Sequence, residues 1–171
     1  MTAKVASAVR IIHLRLKYPS LEIDFGSFIS RNCQISCANK GRLILKRAVI
    51  AQNVVLKAEE NAFLRIVDSY VGYGSVITAH QSIEISEFCE IAEMVVIRDQ
   101  NHRFGNGLLL RDSGVESAPI VLNRNVWVGA KATIVKGVIV GENSVIGASS
   151  VVTKDVPADS VTLGIPARIR L

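Results

Sequence analysis

A six-residue period in the second half of the chain constrains its fold more than any other feature. Stepping by six from Leu122 meets Leu122, Val128, Ile134, Val140, Ile146 and Val152, all aliphatic. The next position of each repeat holds Asn123, Gly129, Val135, Gly141, Gly147 and Thr153, so glycine fills half of them. The fifth position holds Val126, Ala132, Val138, Ser144, Ser150 and Val156, each small or β-branched. Neither a helix, at about 3.6 residues per turn, nor the two-residue alternation of one strand produces such a period. Three short strands per coil do. Each hexapeptide makes one flat face and one corner, and three faces close a triangular prism of about 18 residues per coil. The spacing predicts that Val128 stacks on Ile146 and Ile134 on Val152, each coil burying its neighbour's apolar face.

The same period occurs earlier in another phase, through Tyr73, Ala79, Ile85, Ile91 and Ile97. A third patch runs through Ile44, Ile50 and Leu56, and Ile29 with Ile35 begins a fourth. Before about Val67 the pattern is ragged. The step from Ile97 to Leu122 is one position longer than four hexapeptides, so the phase slips there. The segment 98–119 is rich in Gly, Asn, Asp, Ser and Arg, which predicts an extruded loop, and long loops in compact domains are usually functional. No linker interrupts residues 1–171. The expected plan is an all-β parallel β-helix, with a cap over 1–25, coils over 26–157 and a short C-terminal tail over 158–171. Composition agrees: 22 Val and 19 Ile among 171 residues favour pleated surfaces, and few aromatics leave a core of aliphatic ladders.

Mean hydropathy is positive, at +0.33. The longest unbroken apolar runs, Ala48–Ala51 and Met94–Ile97, are nevertheless far too short to span a bilayer. The first residues lack the apolar stretch and cleavage site of a secretory leader. Cys33, Cys37 and Cys89 are an odd number without a second Cys/His pair to complete a metal site. They read as small apolar fillers in a reducing compartment, the cytoplasm. The net charge of +5 suggests an anionic ligand, but no basic run interleaved with aromatics points to nucleic acid. Lys4, Arg10, Arg15 and Lys17 alternate with Val9, Ile11, Leu14 and Leu16. That segment reads either as a solvated cap of the fold or as a peripheral membrane-surface contact.

His102 stands in the extruded loop. Its neutral imidazole is the side chain best suited to take a proton near neutral pH. Asp99, three residues earlier, is the candidate to orient the ring or stabilise the imidazolium. His80 and His13 are weaker candidates. Beyond the last coil, Lys154 and Arg168 either bind a phosphate or only solubilise the open end of the solenoid.

The stretch Ala118-Pro-Ile-Val-Leu-Asn-Arg-Asn-Val-Trp127-Val-Gly-Ala130 carries a resemblance, continued by Ile146-Gly-Ala148-Ser-Ser-Val-Val-Thr153-Lys154-Asp-Val-Pro and Gly164-Ile-Pro-Ala-Arg168. It is similar to the hexapeptide-repeat acyltransferases, nearest the sugar O-acetyltransferases acting on galactosides, maltose and capsular polysaccharides. The likeness covers about Tyr73 to Leu171. It implies a left-handed β-helix, an exception to the right-handed crossover rule, and a homotrimer with active sites between prisms. His102 falls where the family has its catalytic histidine, upstream of Trp127 and just after the Ile85–Ile97 coil. Acetyl-CoA is the implied co-substrate, without a metal. Ala130 and Ala148 would contact its pantetheine arm through backbone groups, Thr153, Lys154 and Arg168 would lie near the nucleotide and its phosphates, and Trp127 would line the site. The sequence departs from the pattern where Leu122-Asn123 replaces an aliphatic-Gly pair and where Asn101 precedes the histidine.

The implied reaction is direct acetyl transfer to a carbohydrate hydroxyl with His102 as general base. N-acetylation of an amino or nucleotide sugar would use the same base. A γ-carbonic-anhydrase-like enzyme would need three histidine ligands, and a non-catalytic solenoid scaffold would need no loop histidine.

Overall fold

The computed structural model describes residues 2–105 and 107–170. It opens with a helix, α1 (Ala3–Lys17), where the sequence pattern specifies only a cap. Thr2 caps its N-terminus, its Oγ1 accepting from the Val5 amide. Six coils of parallel strands follow. Coil 1 carries β1 (Leu21–Ile23), β2 (Phe28–Ile29) and β3 (Gln34–Cys37). Coil 2 carries β4 (Arg42–Lys46), β5 (Val49–Ile50) and β6 (Val55–Ala58). Coil 3 carries β7 (Phe63–Val67), β8 (Tyr70–Val71) and β9 (Val76–Ala79), and coil 4 carries β10 (Ser82–Ile85), β11 (Glu90–Ile91) and β12 (Val96–Arg98). A projecting arm, β13 (Gln100–His102) and β14 (Val115–Ser117), separates these from coil 5: β15 (Ile120–Leu122), β16 (Trp127–Val128) and β17 (Thr133–Ile134). Coil 6 has β18 (Ile139–Val140), β19 (Val145–Ile146) and β20 (Val151–Val152), and a final hairpin of β21 (Val161–Gly164) and β22 (Ala167–Ile169) ends the second face. The first, second and third strands of successive coils stack into three parallel faces. The architecture is the expected left-handed parallel β-helix.

The stacking follows the hexapeptide reading closely where the period is strict. Val128 pairs with Ile146 and Ile134 with Val152, and all four are buried. Each buried aliphatic side chain of this kind contributes roughly 1.5–3 kcal/mol. The early coils are longer than three hexapeptides. Leu21, Leu43, Leu64 and Ile83 stand in one column, so the excess shrinks from coil 1 to coil 3. The additional residues go into corners and longer first-face strands, which is why the pattern is ragged there. Two assignments change accordingly. Leu43 and Leu45 fill the interior while Ile44 lies on the opposite side of β4, between Glu22 and Arg65. Tyr73 is exposed at a corner, and Val71 takes its place inside.

Corners turn through left-handed backbone conformations, which Asn and Asp tolerate better than most side chains. One corner stacks Asn125, Asn143 and Asp159, with φ of 58°, 57° and 54°. Asn125 Nδ2 donates to Asn143 Oδ1 and Asn143 Nδ2 to Asp159 Oδ1, at 3.0 and 2.9 Å, so the turn residues also tie coil to coil. Asn123, the departure from the aliphatic-Gly pair, is accommodated similarly: its Nδ2 donates to the Val140 carbonyl at 2.9 Å.

Truncating Ile134, buried between Ile97 and Val152, should be costly because coils above and below cannot close the gap. We expect Ile134→Ala to lower unfolding free energy by about 2–5 kcal/mol, read from the urea midpoint.

Candidate functional site

The site is built on the corner that follows each third-face strand. There His80 and Gln81 follow β9, Asp99 follows β12, Lys136 and Gly137 follow β17, and Thr153 and Lys154 follow β20, one above another. The predicted loop leaves this corner at Asp99 and has more order than its composition suggests. Gln100, Asn101 and His102 pair antiparallel with Ser117, Glu116 and Val115. Ser113 Oγ donates toward the carbonyls of Arg103 and Leu110, closing the far end. Two side-chain contacts brace the arm against the coils. Ser117 Oγ donates to Gln81 Oε1 at 3.2 Å on one side, and Lys136 Nζ meets Glu116 Oε1 at 3.0 Å on the other. Gln81, Glu116 and Lys136 are inconspicuous in the sequence, because the partners of each lie on other coils, far along the chain.

His102 is exposed on this braced ladder. The Asp99 carboxylate is engaged by the corner of the preceding coil. The carboxylate is fully buried, Oδ1 accepting from the His80 amide and Oδ2 from the Gln81 amide, both at 2.7 Å. Charge-assisted bonds to two backbone amides are strong, and they fix the point where the arm departs. The Asp99 carbonyl also accepts from the Ala118 amide at 2.9 Å, so both ends of the arm are tied at one residue.

The remaining candidates occupy other edges of the prism. Ala130 and Ala148 lie in the turns between second and third faces, where the Ser149 amide donates to the Ala130 carbonyl at 2.8 Å. Trp127 is exposed on the second face between Glu90 and Val145. Arg168 sits on β22 opposite Leu163, at the end of that face. Thus one chain gathers the His102 arm, Thr153 and Lys154 at one edge, and places Trp127, Ala130, Ala148 and Arg168 on the other side of the third face.

Lys154 and Arg168 are exposed, and neither forms an ion pair among the described residues. Asp155, adjacent to Lys154, is occupied by the Ile139 amide at 2.8 Å. Two cations without acidic partners fit a phosphate-bearing ligand. Among the described residues no three His, Cys, Asp or Glu side chains converge as a metal site. Burial pushes the thiols of Cys33, Cys37 and Cys89 above their ordinary value, so all three are neutral near pH 7.

Comparison with known proteins finds likenesses in sequence and in fold. Residues 119–154 match the bacterial transferase hexapeptide family, a six-repeat pattern. The match is confined to coils 5 and 6. The galactoside O-acetyltransferase of Escherichia coli is 35% identical over 100 residues, covering 58% of this chain and 49% of its own. A putative lipopolysaccharide biosynthesis O-acetyl transferase of that bacterium, WbbJ, is 32% identical over 111 residues, covering 60% and 55%. This chain thus spans about half the length of the curated relatives it matches. Among solved structures, the N-acyltransferase AntD from Bacillus cereus, in complex with dTDP and 3-hydroxybutyryl-CoA, superposes with a TM-score of 0.76 at 18% identity, over 94% of this chain and 86% of that one. The polySia-specific acetyltransferase NeuO gives 0.63 at 24%, over 89% and 80%. Those likenesses extend the solenoid fold across nearly the whole chain.

Asp99→Ala leaves two part-buried amides without their acceptors, at a cost of up to about 1–3 kcal/mol each. The arm should loosen while the coils stay folded: tryptic cleavage at Arg103 and Arg111 accelerates at least severalfold, with the far-UV spectrum unchanged.

Proposed function

We propose that this chain is an acetyl-CoA-dependent acetyltransferase that modifies a hydroxyl of a carbohydrate, acting in the cytoplasm as a homotrimer. The observation that carries the reading is His102 itself, an exposed imidazole on a braced arm at the edge that bears Lys154, which forms no ion pair among the described residues. The relatives named as O-acetyltransferases support the reaction class. A hydroxyl is far too weak an acid to ionise near pH 7, so it needs an aligned base.

His102 takes the hydroxyl proton as that oxygen bonds to the acetyl carbonyl carbon. The carbon–sulfur bond then breaks, and the imidazolium returns the proton to the departing sulfur, so the base is regenerated. Acetyl-CoA supplies the activated acetyl group. Backbone N–H groups of the coil edge stabilise the negative charge that develops on the carbonyl oxygen. Lys154, with Thr153 beside it, and Arg168 at the opposite edge hold phosphates, Ala130 and Ala148 offer small side chains and backbone groups to the pantetheine arm, and Trp127 lines the cleft. Asp99 acts as a positioning residue through the His80 and Gln81 amides.

The split of these residues across two edges favours a site completed by a neighbouring chain, with the His102 arm of one protomer facing the second-to-third-face edge of another. The arm tip suits that role: Phe104, Leu109 and Leu110 are 84%, 62% and 62% exposed, an apolar group that a neighbour would cover.

The test is thiol release from acetyl-CoA across sugars, nucleotide sugars, amino sugars and glycan fragments. We expect acceptor-dependent turnover, reduced about 10²–10⁴-fold in His102→Ala with CoA binding retained. Lys154→Ala and Arg168→Ala should raise the KM for acetyl-CoA about tenfold each, as expected for a lost charge-assisted phosphate contact. Equal turnover in His102→Ala would overturn its role as base. A correctly folded chain that neither turns over nor binds CoA would leave a scaffold.

A further inference from the structure

The helix α1 has two apolar faces, and the fold uses one. Ser7 and Ile11 are buried against coil 1, with Leu14 and Tyr18 packed behind them. That face also closes the open edge of the solenoid. Ser7 Oγ accepts from the Ile29 amide at 2.8 Å, and Arg10 Nη1 donates to the Ile29 carbonyl at 3.1 Å. The opposite face carries Val5, Val9, Ile12 and Leu16, exposed by 51%, 54%, 48% and 80%. Their spacing of four, three and four positions keeps them within about 60° of arc at roughly 100° per residue. Phe25, 64% exposed, lies beside the helix under the Arg15 guanidinium at 5.5 Å.

The charge on the helix itself is of one sign. Lys4, Arg10, Arg15 and Lys17 lie on the helix, and no Asp or Glu occurs before Glu22. Lys4 and Arg15 flank the stripe on one side, Lys17 on the other. A second copy of α1 laid on the stripe would bring cations against cations. An acidic peptide would need a groove, and a single convex helix offers none. A convex apolar stripe flanked by snorkelling Lys and Arg fits an anionic bilayer surface, where apolar side chains enter the headgroup boundary and cations stay with lipid phosphates.

We propose that α1 is a peripheral membrane-binding helix: its inner face caps the solenoid, and Val5, Val9, Ile12 and Leu16 insert into the surface of anionic lipid. This does not depend on the acetyltransferase reading. The contact is an interfacial one, since no described helix is long and apolar enough to cross a membrane.

The test is flotation of the full chain with vesicles of phosphatidylcholine alone or of phosphatidylcholine mixed with phosphatidylglycerol. Binding is expected to the anionic vesicles, at least tenfold weaker to neutral ones, and weakened by roughly 0.5 M salt. Lys4→Gln and Arg15→Gln should each weaken it about fivefold. The double variant Val9→Asp/Ile12→Asp alters only exposed positions and should abolish it without changing the circular dichroism spectrum. Independently, Val9→Trp should show a blue-shifted indole emission on anionic vesicles, quenched by brominated lipid. Absence of flotation, undiminished flotation of the double Asp variant, or an unshifted Val9→Trp spectrum would each overturn the proposal. So would a fall in oligomeric mass in the double variant, which would assign the stripe to a second copy.

Discussion

Each described strand of the six coils satisfies its backbone against the neighbouring coils. Two-residue strands such as β16 and β19 would be meaningless alone. They hold because Glu90, Trp127 and Val145 pair in one column and the next residues, Ile91, Val128 and Ile146, fill one interior. Hydrogen bonding and apolar burial are thus fixed by the same register. The arrangement has a cost at its ends, where a coil would expose unpaired groups. At one end α1 supplies Ser7 and Arg10 to the Ile29 backbone; at the other, β21 folds back on β22.

Register also explains how a flat prism acquires a site. A solenoid face offers neither depth nor a mobile group, so chemistry has to be added at a corner. Here the addition occurs between coils 4 and 5, and a buried carboxylate is committed to it. Asp99 joins the two amides of the preceding coil's corner to the base of the arm, while Gln81 and Lys136 brace it from either side. Such bracing limits where His102 can stand, which suits the role of base proposed for it.

The strict hexapeptides make the C-terminal coils legible residue by residue, because each six-residue step carries one buried side chain. Ile44 and Tyr73 depart from the pattern because the longer early coils keep the three faces but move the corners. A pattern of fixed period cannot see a corner lengthen by a few residues. Helix α1 is hidden for a different reason: apolar residues on two faces blur the helical stripe. His102 is visible as a loop histidine, whereas the use made of Asp99 is not. Its partners are main-chain amides, which leave no mark on side-chain identity.

If the His102 arm of one protomer and the Ala130–Ala148 edge of another form a single acetyl-transfer site, a crystal structure of the assembled protein with CoA tests that pairing most directly. The thiol should lie beside the His102 imidazole, with the pantetheine arm along Ala130 and Ala148 of a neighbouring chain and phosphates at Lys154 or Arg168. CoA bound with its sulfur remote from every His102, or held entirely within one chain, would contradict it.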